Sequence, residues 1–164
     1  MQLFQQAGPK IEDRTSYYHT LAEDLAQLSG VEQVSYSNQG PVTSYEYHQP
    51  VSVPSSPSRL IQAAADSVGP GFFHLMGMRL LSGREFDWHD DETAPPVAIV
   101  SESLAQRLFP GESAIGQGIG RPGRPMLRVV GVVNSASLWR LQSREPMAVY
   151  TPLLQESTFT NPNV

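Results

Sequence analysis

The sequence predicts an α+β fold: strand–helix–strand units packed on a small mixed sheet, with a short inserted segment or lobe. Three observations carry this. Residues 97–100 (VAIV) form a short, continuously apolar run that leads directly into a helical pattern at 102–109. Residues 126–133 (MLRVVGVV) are a second strongly strand-forming run. Earlier in the chain, Tyr17, Tyr18, Leu21, Leu25 and Leu28 recur at three- and four-residue spacing, with Glu23, Asp24 and Gln27 on the other side. Helical periods alternating with strand-like runs define the class, and 164 residues allow one domain, or one domain with a smaller lobe.

In chain order, residues 1–6 (MQLFQQ) alternate weakly and suit a short strand, and 7–10 a turn. The first helix follows Asp13 and stops at Ser29-Gly30, where glycine takes a left-handed position cheaply. Residues 31–37 (VEQVSYS) read as a strand, with imperfect alternation. Residues 38–58 are polar and turn-rich, with a short strand at 48–53; they look inserted or variable rather than core. Residues 59–68 (RLIQAAADSV) are ambiguous: the alanines suit a helix, the place before Gly69-Pro70-Gly71 suits a strand, and the strand is preferred. Pro70 opens a short helix over 72–76, ended by Gly77, and 84–93 (REFDWHDDET) is a polar connection. Ser101 caps the helix at 102–109, whose apolar face is Leu104, Leu108 and Phe109; Glu102 suits its N-terminus. Residues 147–150 (MAVY) are the last strand, and 159–164 a frayed tail. The order suggests a pseudo-repeat of the strand–helix–strand unit.

Composition excludes several functions. Sixteen acids against eleven bases leave a net charge of −5, and Lys10 is the one lysine among scattered arginines. That argues against nucleic acid and against a polybasic membrane patch. The absence of cysteine removes disulfides and thiolate metal sites. No window reaches the ~18 apolar residues of a spanning helix. The most apolar patch, 72–81 (FFHLMGMRLL), is short and carries His74 and Arg79, and the N-terminus lacks a signal-peptide pattern. The chain as it stands is expected to be soluble, whether or not it belongs to a larger protein.

Residues 110–120 (PGESAIGQGIG) have glycines at P-loop spacing, yet Gln117 stands where the phosphate-reaching lysine belongs and Gly118 where the Mg²⁺-binding hydroxyl belongs. The stretch also leaves a helix and feeds a strand, the reverse of a phosphate loop. A G-x-G-x-x-G fingerprint fails at Arg121. Asp87, His89, Asp90, Asp91 and Glu92 are the one dense group of potential metal ligands. Counted as an EF-hand, Glu92 falls where glycine is required and Ala98 where the final glutamate is, so a solvated acidic turn is expected. His19, His48 and His74 are isolated. No G-x-S-x-G or H-E-x-x-H occurs, and Ser101 has Ile99 and Ser103 where an elbow needs glycines. The sequence thus offers no catalytic, cofactor or metal residues and reads as non-enzymatic. A small hydrolase built on Ser101 or on converging carboxylates such as Glu102 and Asp87 is the outside alternative.

Several phrases resemble a known family. They are 68–86 (VGPGFFHLMGMRLLSGREF), 96–102 (PVAIVSE) running on to 108–112 (LFPGE) with Ile115-Gly116, then 129–133 (VVGVV) and 149–152 (VYTP). Residues 28–32 (LSGVE) resemble the turn closing the family's first helix, with Ser29 in a proline position. In this order they resemble the periplasmic core domain of MacB-type ABC transporter permeases, in style closest to the duplicated orphan permeases of acidobacteria. The resemblance implies a porter-like domain on the periplasmic side of the cytoplasmic membrane, spanning residues 1–155 with 38–58 as an insertion and 156–164 as a tail. It implies partners: transmembrane helices of the same parent chain, a separate ABC ATPase subunit acting indirectly, and a second permease copy or a periplasmic adaptor. The insertion is short for a full second lobe, which bears on adaptor docking. The family-signature residues are Phe73, Gly77, Gly83, Arg84, Phe109, Pro110, Gly111, Gly116 and Gly131, each expected to be structural. Pro110 stops the helix, Gly111 and Gly116 reverse the chain, Ile115 plugs the core beneath, and Phe72, Phe73, Leu75 and Met76 pack a short helix on the sheet. The implied function is to relay ATP-driven motion, or to bind substrate or partners in export, without cofactors. A free-standing periplasmic ligand- or peptide-binding module with a closed apolar pocket is the alternative.

Overall fold

A computed structural model describes residues 14–39, 47–134 and 147–156. Helix α1 (Arg14–Ala26) comes first. Strands β1 (His48–Val53) and β2 (Ser56–Val68), helix α2 (Phe72–Leu75) and strands β3 (Leu80–Gly83) and β4 (Val97–Ser101) follow. Helix α3 (Glu102–Leu108) then leads to β5 (Gly118–Arg121), β6 (Arg124–Val133) and β7 (Ala148–Pro152). The strands described form one sheet in the order β3-β6-β4-β7-β2-β1-β5, and β5 also pairs with β6. Because β5 meets β1 through Ser52 opposite Gly120, the sheet curls back towards itself. It is mixed: β4 runs parallel to β6 and antiparallel to β7, while β2 and β7 are parallel.

Both faces of the sheet are covered, which explains why its central strands read as unbroken apolar runs. Ala98 and Val100 of β4 join α3's Leu104 and Leu108, together with Phe109, Ile119 and Leu127, in one core. Val97 and Ile99 of the same strand join Phe72, Phe73, Val68 and Tyr150 in the other. Ser101 ends β4 and caps α3: its Oγ accepts from Leu104 N at 3.3 Å and from Ala148 N at 2.9 Å. One buried hydroxyl therefore satisfies an orphan helix amide and ties the start of β7 to the β4–α3 junction.

Several expectations hold and several need correction. The preference for a strand over 59–68 is borne out within β2, as are the short helix before Gly77 and the β4–α3 unit. Residues 31–36 are not a strand; Ser37 alone bridges Val68, because most of β2's open edge is already taken by β1. The second half of the turn-rich stretch is not peripheral: β1 lies inside the sheet and Val51 is fully buried. Ile115 is exposed rather than a plug, and Ala114 and Ile119 fill that position instead. Leu75 is likewise exposed. The helix expected after Asp13 forms, but Tyr17, Leu21, Leu25 and Leu28 stay exposed instead of packing on the sheet. Strands β3 and β5 had no expectation at all; both are four-residue, glycine-containing segments. The strand expected at 1–6 and the tail at 159–164 lie outside the described residues.

Candidate functional site

The signature residues fall into two groups. Gly83, Arg84 and Gly131 meet where β3 crosses β6. Arg84 N donates to Val130 O at 2.9 Å. A Cβ on Gly83 would collide with that same carbonyl, and its φ of +78° is in the glycine-favouring region as well. A Cβ on Gly131 would collide with the Arg84 carbonyl and crowd Ile99. Two glycines thus let the strands approach closely. Arg84 then reaches out and clamps the following loop: Nη1 and Nη2 donate to the two oxygens of Asp90, each at 2.7 Å. Asp90 is buried and also accepts from Asp87 N at 3.0 Å. The segment 87–92 is therefore not a wholly solvated acidic turn; its second acid is the buried half of a bidentate ion pair. Beneath it, Phe73 packs against Phe86 and edge-on against Tyr150, with ring centres 6.1 and 5.0 Å apart. Gly77 ends α2 nearby.

Phe109, Pro110, Gly111 and Gly116 form the second group, below α3 on the other face. Phe109 is buried there, and Gly111 and Gly116 both take positive φ. Three amides of this loop are engaged within the fold: Glu112 N donates to Phe109 O, Gln117 N to Ala114 O and Gly116 N to Val129 O. Those donors are turned into the fold, so the glycine-rich stretch makes a chain reversal and not an anion cradle.

Sequence reading passed over a third cluster, polar and at the end of the sheet. Asp66 of β2 is 4% exposed. Its Oδ1 accepts from Gln39 N at 3.0 Å and Ser67 N at 2.8 Å, while Oδ2 has no hydrogen-bond partner among the described residues. Burial pushes its pKa up to about 6 despite the opposing pull of these amides. Its register partner Tyr150 is buried too, and both burial and the Asp66 charge push the phenol's pKa up. Close by, Glu156 binds Arg124 at 3.2 Å and Arg121 at 3.7 Å and accepts from the Thr151 hydroxyl at 3.1 Å. Burial holds the Arg121 guanidinium below its usual range.

The residues Gln49, Asp66, Arg121, Thr151 and Glu156 line one cleft of about 230 Å³. They do not converge on one point in it. The Arg121–Glu156 network joins the sheet through Thr151 and Ser67, whose hydroxyls are 3.1 Å apart. These alternate with Tyr150 and Asp66 along their strands, so they project from the opposite face. The signal available in the sequence was a lone acid inside the apolar run 60–68.

Chemically, the clusters offer ion pairs and hydrogen bonds to backbone. No group of three His, Cys, Asp or Glu side chains suited to a metal occurs among the described residues. Ser101, the one nucleophile weighed, is buried with its hydroxyl accepting from two amides and 3.1 Å from the Ser103 hydroxyl.

The family model of the MacB-like periplasmic core domain matches residues 2–163. Over 78 residues, 48% of this chain, the sequence is 37% identical to the macrolide export ATP-binding/permease protein MacB of Pasteurella multocida. Over 88 residues it is 30% identical to the protein of that name from Haemophilus ducreyi. The chain spans about 12% of the length of either relative. Its fold is similar to the periplasmic region of MacB from Actinobacillus actinomycetemcomitans. The TM-score is 0.60 at 21% identity, over 84% of this chain and 55% of that one. It is also similar to the extracellular domain of the noncanonic ABC-type transporter YknZ from Gram-positive bacteria. There the TM-score is 0.56 at 18% identity, over 80% of this chain and 59% of the other. With its β4–α3 unit, close β3–β6 crossing and glycine-rich reversal in the expected order, the chain belongs to the MacB-like periplasmic core domain family, the extracytoplasmic part of MacB-like ABC transporter permeases.

Proposed function

We infer that this domain carries ATP-driven movement from the membrane part of a permease to the periplasm, and engages substrate or partner proteins there, with no chemistry of its own. The observation that carries the reading is the match to the periplasmic core family over residues 2–163. The sheet supports it: with a packed core on each face, the body can move as a unit. On this reading the partners are transmembrane helices of the parent chain, an ABC ATPase subunit coupled through them, and a second permease copy or a periplasmic adaptor. Residues 1–155 are the core domain and the nine signature residues are its structural supports.

The test uses the parent permease with its ATPase. Replacing residues 14–156 by a short flexible linker is expected to abolish export while ATP hydrolysis by the ATPase persists. Continued export, or ATP hydrolysis by the 164-residue chain alone, overturns the reading. Strong thermal stabilisation of that chain by a small solute or peptide, with export unaffected by the replacement, would instead favour a free-standing binding module.

A further inference from the structure

We propose that Asp66 is a proton-operated latch that controls how firmly the N-terminal arm, α1 with residues 27–39, is docked on the sheet. Several described contacts hold the arm. Asn38 N donates to Ser67 O at 2.9 Å, Gly69 N to Tyr36 O at 2.8 Å, and the Gln33 side chain to Gly71 O at 3.2 Å. Tyr18 packs at a tilt against Tyr36 and His19 edge-on against Trp88, with ring centres 4.7 and 4.6 Å apart. The apolar side chains Tyr17, Leu21 and Leu25 of α1 keep 38–47% of their surface exposed, so the helix packs only partly against this seam.

One ionisable group is built into the seam itself. The Asp66 carboxylate closes the end of the arm by accepting from Gln39 N. It is buried, and among the described residues no cation contributes to its charge balance. The arm presents the Ser37 hydroxyl and the amides of Asn38 and Gln39 to it, and β7 presents the Tyr150 phenol. Arg121, Arg124 and Glu156 are engaged with one another through the other face. The arm covers part of this carboxylate, so lifting it returns the group towards water.

The direction follows from linkage. The docked carboxyl titrates at about 6 and an exposed one at 3.8. Docking is therefore fully favoured below about pH 4 and weakens as pH rises through about 6. Between pH 4.5 and 7.5 the opening equilibrium should grow by ~25-fold, the ratio those two values dictate. The arm thus sits tight in acid and loosens near neutrality, and α1 moves with it. This stands whether or not the domain relays movement.

The experiment is hydrogen exchange on the 164-residue chain, corrected for intrinsic rates, read at the amides of Asn38 and Gly69. Their protection is expected to fall by ~25-fold from pH 4.5 to 7.5, through a local opening that leaves them far less protected than the β4 amides at every pH. In Asp66→Asn the protection should be independent of pH, and in Glu156→Gln the wild-type response should persist. A flat profile in the wild type, or a response that survives Asp66→Asn, overturns the latch. Should Asp66→Asn not fold, the wild-type carboxyl resonance of Asp66 decides: titration near 4 rejects the proposal, and titration near 6 in step with loss of Asn38 protection supports it.

Discussion

Single residues hold this domain together by closing specific gaps or pairing specific charges. Gly131 is the clearest case, since an added methyl would meet the Arg84 carbonyl, a rigid neighbour. Gly131→Ala should cost about 1–3 kcal/mol in urea unfolding, the range for overpacking, and Gly83→Ala at least as much, since it adds φ strain. Asp90→Ala leaves the half-exposed Arg84 without its bidentate partner and Asp87 N without an acceptor. Screening at Arg84 limits the loss to about 1–2 kcal/mol. Asp66 works the other way. Its raised pKa means the fold binds a proton that the unfolded chain releases, so its contribution is complete below pH 3.8 and lost as pH rises through about 6. Asp66→Asn should therefore stabilise the chain at pH 7.5 by about 2 kcal/mol in chemical denaturation, and the gain should vanish near pH 4.

At the level of elements, the β4–α3 unit and α1 are opposites. Leu104 is fully buried between α3 and the sheet, and Leu104→Ala is expected to cost about 2–5 kcal/mol. Leu21 and Leu25 have the same helical spacing but stand in solvent, so Leu25→Ser should change global stability by no more than about 0.5 kcal/mol. The same period marked both helices; only the first lacks a described surface that covers its apolar side. Ser101→Ala should cost about 1–2 kcal/mol, because it orphans the Leu104 and Ala148 amides together. The capping role was legible from Ser101-Glu102 alone. Its second bond, to Ala148, was not, since 47 residues separate the partners.

Across the whole molecule, stability should be uneven. Amides of β4 and of β6 from Val129 onward, buried on both faces, should exchange only on global unfolding, whereas the arm and the edge strand β3 should open locally. Native-state hydrogen exchange checks this, and equal protection of α1 and β4 would contradict it. The mixed sheet also explains what could not be foreseen. Strands β3 and β5 are short, carry glycine and show no alternation, and they exist because β6 is long enough to offer them pairing partners on one edge. Residues 31–36 have better strand chemistry, yet only the end of β2 beyond Ala65 is open to the arm, because β1 occupies the rest of that edge.

The sequence alone determined the class, the central strands, the capped helix and the family, because each rests on local chemistry: period, capping residue, turn glycine and the order of phrases. It also disqualified the 110–120 stretch as a phosphate loop, since Gln117 and Gly118 cannot do that work. The tertiary structure alone decided which apolar faces are buried, that Asp90 is clamped by Arg84, and that Asp66 is buried where the arm meets β2. Burial and pairing are set by residues distant in the chain, and a carboxylate's charge state depends on what covers it rather than on its sequence neighbours.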